Sequence, residues 1–416
     1  MVRKILAYSY DYPHCNKICA VLERGYLFLF GFLFLDAFYR TTLFPQTFVV
    51  NQWIPTLALL ALIFLKLLIY GRDMPIQSVL IGILSLSFLL IYKTTRDINL
   101  PIMAYLVIGA YGVSFRKIVK VYCGIGIPFL LFCIVSSQTG LVFDYIVQDW
   151  DGVRPLRHSF GIIYPTDFAA HVTYLVLGWG WLRGRKLTWA ELGAFAFCTW
   201  AVYHFCNARA GTVSLLVFTV LCVCTKLFEQ FVHWDSLRPA LQKGLSVAGK
   251  AIQMLSGHAI LLLSIVMIIL TALYDESEFM NKIDLLLGTR LSLGKRAFIQ
   301  YGIKVLGQVI YMKGDGYSFD SSSDYYFFID SSYIKMLVCY GLVVSILIWM
   351  SYTLLGHRAI KKKDIYMIWV IGVIGLHCTM EHHLIEIAYN PFLISLFSDN
   401  TTIETLTNNL VDINKQ

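Results

Sequence analysis

Residues 255–274 read LSGHAILLLSIVMIILTALY, and the next residues, Asp275, Glu276, Ser277 and Glu278, reverse that character at once. A bilayer's hydrocarbon core takes about twenty predominantly apolar helical residues. The run therefore predicts a membrane span, and the acidic break predicts its end. Working outward, the same reading predicts spans over 23–39, 48–70, 75–92, 98–113, 119–137, 166–182, 189–206, 210–228, 255–274, 332–355, 366–380 and 384–397. The expectation is about 11–12 transmembrane helices, with 98–113 and 384–397 the weakest because re-entrant or interfacial segments read the same way. The first run follows a charged, tyrosine-rich segment without a small-residue cleavage site, which reads as a retained span and not a removed signal peptide.

Composition agrees. The chain has 416 residues, 57% hydrophobic and 14% charged, with mean hydropathy +0.65; soluble domains carry about a quarter charged residues. A single integral membrane domain over 1–416 is expected, with a large external loop over 275–332 and a short tail over 398–416. The net charge of +8 follows from topology and requires no nucleic acid. Nineteen Lys and Arg residues fall in the segments on the N-terminal side, among them Arg116, Lys117, Arg183, Arg185, Arg358 and Lys361, against six (Arg40, Lys93, Arg96, Arg154, Arg157, Arg209) in the short opposite segments. Positive charge marks the cytoplasmic side, so both termini are expected inside and the long loop outside. No internal repeat stands out, which weighs against an inverted-repeat transporter. The ten cysteines are scattered through apolar runs and read as small buried hydrophobes.

The long loop contains LLLGTRLSLGKRAF over 285–298. Leu291, Phe298, Val305 and Val309 recur at helical spacing and predict an amphipathic helix. On this side of the membrane lie RPLRHSFGIIYPTDFAAH (154–171), NARAG (207–211), GTRL (288–291) and EHHLIE (381–386). Arginine presents a planar fork of donors matched to phosphate oxygens and stays charged where water is scarce. Arg157, Arg209 and Arg290 together suit a lipid-linked pyrophosphate, holding its charge and stabilising it as a leaving group. Singly, each is as well explained by phospholipid headgroups or a neighbouring carboxylate. His382 is a candidate general base beside Glu381 and His383, or else part of an interfacial pair at a helix end; Asp330 is a base candidate or the N-cap of the next span. Arg154, His158, Tyr164, Arg296, Glu381 and His383 are candidates for substrate binding. His171 and His204 read as satisfied core histidines. No metal set is expected beyond Glu381-His382-His383, and no cofactor.

At these residues the chain resembles the Wzy-type polysaccharide polymerases of bacteria, within the O-antigen polymerase and ligase superfamily. Arg157-His158-Ser159-Phe160-Gly161 with Tyr164-Pro165 resembles their arginine, Ser-Leu-Gly-Phe and His-Pro-Asn element. Asn207-Ala208-Arg209-Ala210-Gly211 resembles their Ser-Arg-Thr-Gly turn, Gly288-Thr289-Arg290-Leu291 their Ser-Gly-Arg-Leu element, and Asp330-Ser331-Ser332-Tyr333 their Asp-Asn-Ser-Tyr element. The order of the four agrees. His-Pro-Asn is replaced by Tyr164-Pro165-Thr166 and Asp-Asn by Asp330-Ser331, so only the arginine roles carry over and the base stays open. The resemblance implies a GT-C-type membrane glycosyltransferase of the bacterial plasma (inner) membrane; metal independence is expected from the residues, because no acidic pair has metal-site spacing and the arginines can carry the pyrophosphate charge. Its expected substrates are undecaprenyl-pyrophosphate-linked oligosaccharides, as in O-antigen, capsule or exopolysaccharide biosynthesis. Membrane lipids, a chain-length regulator and a flippase are the partners it implies. The alternatives are a ligase of the same superfamily, which moves the glycan to another acceptor, and a glycan or lipid transporter without chemistry.

Overall fold

The computed structural model describes residues 13–70, 75–148, 155–231, 239–314 and 327–398. It is helical apart from one two-residue hairpin, β1 (Ile146–Val147) against β2 (Arg157–His158). In chain order the helices are α1 (Pro13–Arg40), α2 (Trp53–Tyr70), α3 (Pro75–Thr95), α4 (Asn99–Gly109), α5 (Phe115–Gln138), α6 (Pro165–Arg183), α7 (Trp189–Ala201), α8 (Arg209–Phe231), α9 (Pro239–Gly257), α10 (Ala259–Leu273), α11 (Glu278–Leu286), α12 (Arg290–Tyr301), α13 (Ser332–Lys335), α14 (Gly341–Lys362) and α15 (Ile365–His377). Wider π-turns, Val202–Cys206 and Met336–Tyr340, follow α7 and α13.

Five helical stretches, Ile18–Arg40, Gln46–Ile69, Phe115–Gln138, Arg209–Gln230 and Ser332–Lys362, are long and apolar enough to cross a membrane. A sixth arises if α9 and α10, bent by 66° at His258, count as one span. The chain is thus an all-α, polytopic membrane protein. Among the described residues, other segments expected as spans are shorter helices, α4 with 11 residues and α15 with 13. Helix α15 packs against α8, α9, α10 and α14 and is buried along nearly its whole length. That all-round burial explains its uniformly apolar sequence.

Residues 384–397 do not form the expected helical span. The stretch is a buried, irregular run ending in a 3-10 turn, Phe392–Leu396. Pro391 has no backbone donor and steers Asn390 away from helical geometry. The Asn390 amide donates to the Leu384 carbonyl (2.8 Å) and to the Tyr352 hydroxyl (2.9 Å), and its Oδ1 accepts from the Phe392 amide at 3.1 Å. Irregular backbone persists in a membrane protein where protein covers it, and Leu384, Ile385, Ile387 and Phe392 are all buried. Glycine makes one close crossing. A Cβ on Gly356 of α14 would lie 1.7 Å from the Gly257 carbonyl oxygen at the end of α9, so these backbones touch directly, as small residues permit.

The amphipathic helix expected in the long loop is two helices, α11 and α12. Helix α12 ends at Gly302 (φ 64°), so Val305 and Val309 continue the helical spacing in sequence but lie outside any helix. Segment 239–250, read as part of the connection between two spans, is helical and begins α9. Trp150, the 315–326 part of the loop and the tail from 399 lie outside the described residues. Cys123, Cys133, Cys206, Cys222, Cys339 and Cys378 are buried thiols, whereas Cys224 is exposed.

Candidate functional site

Two of the arginine motifs are fixed by short-range turn chemistry. Asn207 takes a left-handed backbone (φ 44°), which asparagine tolerates, and this ends the π-turn and starts α8 at Arg209. Gly288 and Thr289 are both left-handed (φ 65° and 67°); for a β-branched residue that is an outlier, and such outliers gather at functional sites. Asp284 holds the strained turn. Its Oδ1 accepts from the amides of Leu291 (2.7 Å) and Ser292 (3.2 Å), and its carbonyl accepts from Thr289 N at 2.8 Å. The buried carboxylate thereby caps α12, the helix that presents Arg290.

These turns lead into one another. Arg157 is buried, donates from Nε to the Cys206 carbonyl at 3.0 Å, and lies over the Tyr164 ring at 5.5 Å. Three residues beyond Cys206, the exposed Arg209 donates to the Leu285 carbonyl at 3.3 Å. Arg290 donates to the carbonyls of Gly288 (2.6 Å) and Met380 (3.1 Å) and ion-pairs with Asp330 at 3.1 Å. Asp330 is therefore not the N-cap of the following helix. Ser331 holds that position without a side-chain cap, and Ser332 N donates to the carbonyls of Cys378 and Glu381. His158 pairs with Asp144 at 2.6 Å, and Asp144 also takes the amides of Ser159 and Phe160. Arg296 stands apart: it lies over Phe327 at 5.6 Å and lines a separate depression with Tyr274, Asp275 and Glu276. Arg154 lies outside the described residues.

Beside Arg290 is a cluster of ionisable groups sunk among the helices. Glu381 and His383 are buried and His382 partly so, in the non-helical stretch that follows α15. His383 Nε2 lies 3.8 Å from both Asp167 Oδ1 and Glu381 Oε2, and its Nδ1 lies 3.5 Å from Glu386 Oε2. His382 Nε2 lies 3.7 Å from Glu386 Oε1, which Lys335 Nζ contacts at 3.0 Å. The Tyr389 hydroxyl donates to Asp167 Oδ1 at 2.8 Å. One donor atom each of Asp167, His382 and His383 fall within 4.8 Å of one another. The sequence reading counted no metal-type set beyond Glu381-His382-His383; folding α6 against this stretch adds Asp167. Lys335 also faces a cleft of about 320 Å³ lined by Arg96, Asp97, Gln308 and Tyr340. His171, hydrogen-bonded to Thr41 at 2.8 Å and stacked on Phe38, is a satisfied core histidine. His204 is not: it is exposed and stacks on Trp200.

Burial sets the protonation preferences of the non-helical stretch and of Asp330. It pushes the Glu381 carboxyl up to about 7, against the pull of His383 and Arg290. It also lifts Asp330 above the usual carboxylate range despite Arg290. His382 is driven well down by burial, with Lys335 adding to the effect. Burial lowers His383 too, but the contact with Glu386 and the charges of Glu386, Asp167 and Glu381 outweigh it and leave the imidazole raised. Glu386 is held low because Lys335, His382 and His383 overcome its own desolvation.

The sequence reading did not single out Asp167, Lys335, Glu386, Tyr389 or Asp144 as site residues. Its missed signal was an ionisable residue inside an apolar run, which is costly unless paired and so marks a site by default. Lys335 sits three residues into an apolar span, and Glu386 stands between Ile385 and Ile387. Comparisons with protein-family models, with curated proteins and with solved structures returned no match.

Proposed function

We propose that the chain is a membrane glycosyltransferase that lengthens a polysaccharide, moving a growing glycan from undecaprenyl pyrophosphate to a lipid-linked repeat unit. The observation that carries this reading is the position of Arg290. Its guanidinium bonds the Met380 carbonyl, one residue before Glu381-His382-His383, and pairs with Asp330. A phosphate-type donor fork and a carboxylate–imidazole cluster thus share one site.

In this reading Arg157, Arg209 and Arg290 face the pyrophosphate and take up the charge that develops on it as the glycosyl bond breaks. The attacking hydroxyl of the acceptor sugar gives up its proton within the cluster around His382, His383 and Glu381. The cleft beside Lys335, walled by Arg96, Asp97 and Tyr340, offers the polar contacts that an acceptor sugar needs. Purified protein incubated with a lipid-linked repeat unit is expected to yield a ladder of lengthened products. Transfer to a different acceptor without a ladder would point to the ligase, and no transfer of any kind would refute the glycosyltransferase reading.

A further inference from the structure

Glu386 meets both histidines of the buried cluster. It faces Nδ1 of His383 at 3.5 Å and Nε2 of His382 at 3.7 Å. The remaining ring nitrogens, His383 Nε2 and His382 Nδ1, are buried and have no hydrogen-bond partner among the described residues. A buried polar atom without a partner loses its hydration and gains nothing in return, so two in adjacent residues call for a reason. Metal-ligating histidines typically turn one nitrogen to a carboxylate, which fixes the ring, and the other to the ion.

The unpartnered nitrogen of His383, whose side chain is 0% exposed, points between two carboxylates, 3.8 Å from Asp167 Oδ1 and 3.8 Å from Glu381 Oε2. These separations are too long for hydrogen bonds. They are close to the edge of a coordination polyhedron: ligands at about 2.1 Å around a tetrahedral ion stand roughly 3.4 Å apart. Asp167 is itself held in place by the Tyr389 hydroxyl at 2.8 Å. Lys335 lies on Glu386, so it neutralises the orienting carboxylate and leaves Asp167 and Glu381 to face the histidines.

We propose that Asp167, His382 and His383 bind one divalent transition-metal ion. The donor set is two imidazoles and one carboxylate, which suits zinc, manganese or ferrous iron and disfavours calcium and magnesium, which prefer all-oxygen sites. Glu386 and Tyr389 are positioning residues. This site rests on its own geometry and not on the glycosyltransferase reading. If a metal is bound, His382 and His383 hold it in place of accepting the proton of the acceptor hydroxyl, and the ion would supply that activation by lowering the pKa of a bound hydroxyl.

The test uses the full-length protein purified in detergent, stripped with chelator and desalted. It is then loaded with zinc or manganese chloride and desalted again, and the retained metal is counted by mass spectrometry. About one equivalent per chain is expected for one of these two metals. Asp167→Asn and His383→Gln should each weaken binding at least tenfold, and Glu386→Gln roughly 10–100-fold, the usual effect of losing an orienting partner. His204→Gln, at an exposed ring outside the cluster, should bind as the wild type does. Should the cluster variants fail to fold, X-ray absorption of the metal-loaded wild type decides, since scattering from two imidazoles is required. Absence of stoichiometric retention, unchanged affinity in folded Asp167→Asn and His383→Gln, or a spectrum without imidazole overturns the proposal.

Discussion

Replacing Arg290 by methionine removes the positive partner of Asp330 while keeping much of the side chain's bulk. The two side chains are 17% and 13% exposed and ion-paired at 3.1 Å. Losing one member of such a pair costs roughly 3–5 kcal/mol, because the other charge is left in a poorly hydrated place. The low end, about 3 kcal/mol, is expected here, because burial already raises the Asp330 carboxyl and protonation can discharge it once Arg290 is gone. Replacing both partners, Arg290→Met with Asp330→Leu, removes charge and countercharge together and should return stability to within about 1 kcal/mol of the wild type. The sign of the pH dependence follows from the raised Asp330 carboxyl. Between its unfolded and folded values the folded chain binds more protons, so stability is highest below that window and falls as pH rises through it. Loss of Arg290 lifts the folded value further, so the deficit of Arg290→Met should be smaller at pH 5 than at pH 8. Equilibrium unfolding in mixed detergent–SDS micelles at both pH values measures all of this. A double variant as unstable as the single one, or a deficit that does not shrink in acid, would refute the buried-pair reasoning.

On the glycosyltransferase reading, Arg157→Lys, Arg209→Lys and Arg290→Lys should each cut chain lengthening at least tenfold in a ladder assay, because a point charge does not reproduce the planar fork. Lysine variants that retain full ladders would remove the phosphate role. Asp284→Ala strips the buried Leu291 amide and the half-buried Ser292 amide of their acceptor and should cost about 1–3 kcal/mol; wild-type stability would show that the strained turn holds itself. Gly356→Ala places a Cβ 1.7 Å from the Gly257 carbonyl oxygen, so loss of at least 1–3 kcal/mol is expected from overpacking, read as reduced yield of monodisperse protein. Asp144→Ala frees His158 and the amides of Ser159 and Phe160. It should raise proteolytic cleavage of the 155–164 segment under conditions that leave the wild type intact.

Fold class was legible because hydrocarbon solvent imposes one rule on every exposed segment, and composition alone reports it. The run at 255–274 could be read as a span without any neighbour. The number of full-length crossings could not, because a buried irregular stretch such as 384–397 is as apolar as a helix; only the Asn390 side chain, satisfying the backbone around Pro391, distinguishes them. The arginine turns were legible as local chemistry, Asn207 and Gly288 each sitting where a left-handed residue is needed. Their partners were not. That Arg157 reaches the Cys206 carbonyl, that Arg290 meets Asp330 and Met380, and that Asp167 joins the histidines 215 residues later in the chain depend on how α6, α12 and the 378–398 stretch pack. Burial is a property of that packing. It lifts Glu381, lowers His382 and leaves His383 facing two carboxylates, and no spacing in the sequence encodes which of two adjacent histidines goes which way.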